Sequence, residues 1–284
     1  MLRGLKYHVR SWGEVGAPKL FLVHGWQDQS ASFQFLVDAL KENWHVLAPD
    51  FRGSGLTQWA ESGGYWFSEF LADLNAVFET YQPEAPVNIL AHSMGFNVAS
   101  ILAGVRPQRV RRLVNVECYG FRVTHPDDFR TRYAQWLEQL PQRPKARSYA
   151  SFAELQAQLQ KGRPQLPVEH IAFLANNMAR PSDDGRVTLL NDPWQKSPAN
   201  KMIYVGQIRD EEAMACWRNI TAPVLWVQGD ASDTHLEIGA TPEELAARKA
   251  CFRDFREERI SGASHMIHQE APEHLAGIVE PFLR

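Results

Sequence analysis

Cysteine is scarce in this 284-residue chain. Only Cys118, Cys216 and Cys251 occur, an odd number without Cys-x-x-Cys spacing, which excludes a disulfide framework and a cysteine-ligated zinc site. Charge of one sign is not in excess either. Thirty Lys+Arg stand against 33 Asp+Glu, a net charge of −3, so no basic surplus exists to neutralise phosphates and nucleic acid is not an expected partner. No apolar run approaches the roughly 20 residues that span a bilayer. The opening Met1-Leu2-Arg3-Gly4-Leu5-Lys6 lacks the apolar stretch of a secretory signal. A cytoplasmic location without a membrane partner is therefore expected. Neither Gly-x-Gly-x-x-Gly nor Gly-Lys-Ser/Thr occurs, so no phosphate cradle is expected. The zincin spacing His-Glu-x-x-His is missing, and His265-Met266-Ile267-His268 has no cysteine partners nearby, so neither a metal nor a cofactor is expected. What is left is an ordinary globular composition, 44% hydrophobic and 22% charged, in a length that suits one large domain carrying an insertion.

Short apolar runs bounded by turn residues recur at 19–23, 44–48, 87–91, 110–116 and 223–227. They show no clean polar alternation, which fits strands covered on both faces, as in a parallel sheet. Helical periodicity falls between them, at 32–40, 67–80, 95–105 and 270–283. Alternating strand and helix predict a doubly wound, mostly parallel α/β sheet. The amphipathic segment 6–12 reads as an edge strand. The rhythm breaks after residue 120. From 121 to 216 the chain holds helical segments such as 129–140 and 151–159 among many prolines, and no strand of the core type. We expect residues 1–120 and 217–284 to form the core and 121–216 a helical cap.

The segment Ile89-Leu90-Ala91-His92-Ser93-Met94-Gly95 has the small-x-Ser-x-Gly form between an apolar run and a helix. A nucleophile on so tight a strand-to-helix turn needs small residues two before and two after it. Ser93 is therefore the candidate nucleophile. A serine needs a base to remove its proton, and His265, in Ser261-Gly262-Ala263-Ser264-His265, follows a strand-like segment at 255–260 and precedes the last helix. His268 is a rival, as is His274 within the predicted helix. The base in turn needs an orienting carboxylate. Asp233 in Gly229-Asp230-Ala231-Ser232-Asp233 is favoured. Asp230, nearer its strand, and Glu117, at the end of the preceding strand, remain open.

The chain order Ser93, Asp233, His265 resembles that of the α/β-hydrolase superfamily. So do His24-Gly25-Trp26 after the first buried strand and Asp50-Phe51-Arg52-Gly53-Ser54-Gly55. Within that superfamily the chain is similar to capped serine hydrolases, among them esterases and C–C hydrolases. In many of these the acid sits in a Gly-x-x-Ser-Asp loop, which matches Asp233. The resemblance implies an α/β-hydrolase fold with its helical cap inserted after the sixth strand, and an oxyanion hole built from the backbone N–H groups of Trp26 and Met94. Gly25, Trp26 and His92 are expected beside the substrate, and Asp50 and Arg52 as loop-holding residues. Trp136, Phe173, Met178, Trp194 and Met202 of the insertion read as cap packing or pocket lining. The expected activity is cleavage of an ester-type bond in a small molecule through an acyl-enzyme, without a cofactor. The alternatives are C–C bond hydrolysis by the same three residues, a cofactor-free dioxygenase, or a small-molecule receptor on the same fold.

Overall fold

The computed structural model describes residues 1–61, 65–123, 125–139, 144–196 and 208–284; Leu140 and Met202 lie outside them. In chain order the first half comprises β1 (Val9–Trp12), β2 (Lys19–Val23), α1 (Gln34–Ala39, entered through a 3-10 turn), β3 (His45–Pro49), α2 (Phe67–Tyr81), β4 (Val87–His92), α3 (Met94–Val105) and β5 (Val110–Val116). An excursion follows, with α4 (Asp128–Gln139), β6 (Ser148–Tyr149), α5 (Phe152–Gly162), α6 (Val168–Met178), β7 (Ala179–Pro181) and β8 (Val187–Leu189). The chain then continues through α7 (Asp210–Trp217), β9 (Val224–Gly229), α8 (Thr234–Glu237), α9 (Pro242–Lys249), β10 (Phe255–Ile260), α10 (Ile267–Glu270) and α11 (Pro272–Leu283).

The main sheet runs β1-β3-β2-β4-β5-β9-β10. Only β1 is antiparallel, pairing with β3 at the edge; the other neighbours are parallel. Each strand divides its side chains between two apolar layers. Phe21, Val23, Ile89 and Ala91 join α2 and α3 on one face through Phe70, Leu74, Phe78 and Phe96. Leu20, Leu22 and Leu90 join α1 and α11 on the other through Leu36, Leu275 and Val279. Two covered faces explain why the strands read as unbroken apolar runs.

The excursion differs from its expected form in three ways. Five described strands precede it, one fewer than expected. It contains a small antiparallel sheet, β6-β8-β7, besides its helices. The β7–β8 hairpin turns at Asp184-Gly185, where Gly185 has φ +75° and Ser182 N donates to Arg186 O at 2.9 Å. That dipeptide is the usual hairpin signal; strands of three residues are too short to show alternation. Finally, α7, expected within the insertion, packs on the main sheet. Trp217 is buried against that face and its Nε1 donates to Ser100 Oγ at 2.9 Å.

The excursion packs on α1 through Phe35, which joins Leu166, Ile171 and Leu174 and stacks on His170 at 3.8 Å. Polar ties fix its far end to loops near the sheet. Asp192 N donates to Gly53 O at 2.8 Å, Tyr65 Oη donates to Asp192, Trp59 Nε1 donates to Leu190 O at 2.8 Å and Asn191 Nδ2 to Gln27 O at 2.7 Å. Among the described residues no helix is long and apolar enough to cross a membrane.

Candidate active site

Parallel register brings together the strand ends that precede the candidate residues. His92 pairs with Val116, Val116 with Val227 and Gly229 with Ile260. The residues that leave the carboxyl ends of β4, β5, β9 and β10 therefore emerge side by side, the edge at which α/β folds build their sites.

Ser93 connects β4 to α3 with φ 51° and ψ −126°. A non-glycine residue at positive φ is strained and persists only when its surroundings impose it. Here Ser93 N is anchored to Val116 O at 2.9 Å. The small neighbours are required by contact. A Cβ on Gly95 would lie 2.4 Å from Val23 O, and one on Gly25 would lie 3.0 Å from both Ser93 Cβ and His92 Nδ1. Met94 is the first residue of α3, so its N–H has no partner within the helix. Trp26 is half-buried, with its ring edge-on to Phe70 at 6.4 Å. His24 braces the loop: its Nδ1–H donates to Gly25 O at 2.7 Å, while Nε2 accepts from Phe51 N at 2.9 Å.

His265 lies on the loop between β10 and α10, about one third exposed. Two oxygens face its Nδ1, Thr234 Oγ1 at 3.0 Å and Glu117 Oε2 at 3.4 Å. Glu117 is fully buried and, like Ser93, sits at positive φ, 57°. Gly229 N donates to its Oε1 at 2.7 Å and Ser232 Oγ donates to its Oε2 at 2.5 Å. Two donors and an imidazole thus converge on one buried carboxylate, which is how a charge is kept inside a protein.

Asp233 has a different place from the one expected. It is exposed, four residues past Gly229 at the start of α8, and the carboxylate that meets His265 is Glu117. Asp230 is also exposed. Its Oδ1 accepts from Gly262 N at 2.6 Å and its Oδ2 from Ser261 Oγ at 2.9 Å, and these donors hold the carboxyl below its usual range. It clamps the loop that carries His265. Sequence reasoning missed Ser232 and Thr234, since a hydroxyl in a polar loop has no pattern of its own.

His92, expected beside the substrate, is buried instead. Its Nε2–H donates to the His265 carbonyl at 2.8 Å and its ring lies 4.6 Å from that of His265. Burial first, then the neighbouring imidazoles, hold His92 well below the usual histidine range, in its neutral form. His268 is buried too, facing Asp28 at 3.6 Å. Asp50 and Arg52 hold loops as expected. Asp50 accepts from Ser30 N at 2.6 Å and Leu56 N at 2.9 Å, and Arg52 pairs with Asp73 at 2.6 Å and 2.8 Å.

A parallel sheet with a serine elbow after a central strand and a histidine loop after the last strand defines the hydrolase class of α/β proteins. Residues 18–272 match the family model for the alpha/beta hydrolase fold, and the chain belongs to that family. It is 29% identical to a serine hydrolase-like protein of Danio rerio, over 96% of this chain and 83% of the relative. It is 24% identical to the 2-(acetamidomethylene)succinate hydrolase of Mesorhizobium japonicum, over 94% of this chain and 87% of the relative. Among solved structures, the thioesterase domain from the curacin biosynthetic pathway superposes with a TM-score of 0.86 at 23% identity, covering 98% of this chain and 96% of that one.

Proposed function

We propose that this hydrolase cleaves an ester-type bond of a small molecule through Ser93, His265 and Glu117. The carrying observation is the strained Ser93 elbow directly after His92, whose ring lies 4.6 Å from that of His265, together with the buried, doubly hydrogen-bonded carboxylate that faces His265 Nδ1. Nδ1–H directed at Glu117 leaves Nε2 as the basic lone pair. Nε2 takes the Ser93 proton as Oγ attacks the carbonyl carbon. The oxyanion is held by the N–H groups of Trp26 and Met94, each worth roughly 3 kcal/mol. The imidazolium, stabilised by Glu117, then protonates the leaving alcohol. Water, deprotonated by the same nitrogen, releases the acid from Ser93. Thr234 Oγ1 assists by holding the ring edge. The reaction needs no cofactor.

A fluorophosphonate probe tests the reading. The wild-type chain gains the mass of one phosphonyl group and loses turnover of a short p-nitrophenyl ester. Ser93→Ala folds, takes no label and turns over at least about 10³-fold more slowly. Full turnover by Ser93→Ala removes the serine mechanism.

A further inference from the structure

Behind the elbow, three side chains that this chemistry does not use meet in one place. Asp28 comes from the loop after β2, His92 from the end of β4 and His268 from α10. One ligating atom from each lies within 4.8 Å of the other two. Asp28 Oδ2 and His268 Nε2 are 3.6 Å apart, close to the separation of roughly 3.4 Å between two donors of a tetrahedral ion with bonds of about 2.1 Å. His92 and His268 are 2% and 0% exposed, respectively, and Nδ1 of each has no hydrogen-bond partner. In His92 the tautomer is set by its neighbour: Nε2 carries the proton that goes to the His265 carbonyl, so Nδ1 is a buried lone pair without a donor. Such a group is costly unless something binds it. Asp28 is itself oriented by Ser32, whose hydroxyl donates to Oδ2 at 2.7 Å, the kind of outer support that metal-binding carboxylates carry. Gln269 Nε2 also approaches His268 Nε2, at 3.4 Å.

We propose that Asp28, His92 and His268 form a site for a transition-metal dication, Zn²⁺ or Cu²⁺, and that filling it inhibits the hydrolase. Two imidazoles and one carboxylate suit these ions, whereas Mg²⁺ and Ca²⁺ prefer oxygen donors. The binding half of the proposal rests on the cluster alone; the inhibitory half rests on the function proposed above. His265 must become an imidazolium during acyl transfer. Its ring is 4.6 Å from that of His92, which would carry the metal on Nδ1, and a dication so close opposes that charge. No spacing along the chain announces the site, because its ligands come from three separate segments.

Equilibrium dialysis of the chelator-stripped chain against Zn²⁺, with elemental analysis, and Co²⁺ titration followed by visible absorption test the binding half. The wild type binds about one Zn²⁺ per chain and shows the visible bands of Co²⁺ in a low-symmetry nitrogen and oxygen site. His268→Ala and Asp28→Asn each weaken binding at least about 100-fold, since even outer partners of a metal site are worth 10–100-fold. Mg²⁺ in excess does not displace Zn²⁺. Absence of binding to the wild type, or equal binding by both variants, overturns the site; should one variant fail to fold, the other decides. Zn²⁺ also lowers ester turnover of the wild type, and unchanged turnover at full occupancy overturns the inhibitory half. A chain that turns over no ester yet binds Zn²⁺ at these residues refutes the proposed function and leaves the site standing.

Discussion

Replacing Glu117 by Gln removes one charge and nearly no volume. In the wild type Oε2 lies 3.4 Å from His265 Nδ1. At an effective dielectric of about 20, a carboxylate and an imidazolium at that separation attract by about 5 kcal/mol. His265 is about one third exposed, so solvent takes part of this, and Thr234 Oγ1 still faces the ring at 3.0 Å. A loss of about 4 kcal/mol in the transition state is expected, about 10³-fold in kcat, with KM little changed because the imidazolium does not exist in the ground state. Asp233→Asn, at an exposed position, changes kcat by less than about threefold, within the range of surface substitutions. Steady-state kinetics on a short p-nitrophenyl ester, with the rate of fluorophosphonate labelling as a second measure, reads both variants. Urea melts confirm that Glu117→Gln still folds, since Gly229 N and Ser232 Oγ must keep an acceptor. A 10³-fold loss in Asp233→Asn beside a small loss in Glu117→Gln refutes the assignment of the acid to β5.

Gly95→Ala puts a methyl group 2.4 Å from Val23 O, so β2 or α3 must move; urea denaturation should show a loss of about 3 kcal/mol. Gly277→Ala in α11 meets nothing within 4 Å and should gain about 0.5–1 kcal/mol in the same assay. Burial pushes the Asp50 carboxyl up, but His8, His24 and the N–H groups of Leu56 and Ser30 outweigh it and hold the carboxyl below its usual range. A depressed folded value contributes stability that is present above the unfolded value, about 3.9, and lost as pH falls through the folded one. Thermal melts between neutral pH and pH 3 should therefore fall less steeply in Asp50→Asn than in the wild type. Phe35→Ala removes the ring that joins α1 to α6 and should cost about 3–5 kcal/mol; limited proteolysis should then cut first within the excursion between β5 and α7.

Local chemistry was legible in the sequence. The two-layer sheet follows from runs such as 19–23 and 87–91, whose apolar residues face both ways. The elbow follows from Ala91, Ser93 and Gly95, because the steric demand of that turn falls on residues two positions away. His265 was favoured over His268 from its place after a strand-like segment, and the structure puts it on the loop after β10, whereas His268 is buried. The short β7–β8 hairpin of the excursion escaped because three-residue strands carry no period, even with Asp184-Gly185 marking the turn.

The carboxylate facing His265 was settled only in space. Glu117 and Asp233 both follow strands of the same sheet, and a loop motif favoured Asp233. Register decides otherwise. With His92 level with Val116 and Val116 level with Val227, Glu117 leaves β5 beside the elbow, and its side chain spans to Gly229 N. Asp233 has by then travelled four residues out to the surface. A turn is determined by residues that are neighbours along the chain. The meeting of groups more than a hundred residues apart is determined by which strands pair and at what register, and that is a property of the folded sheet.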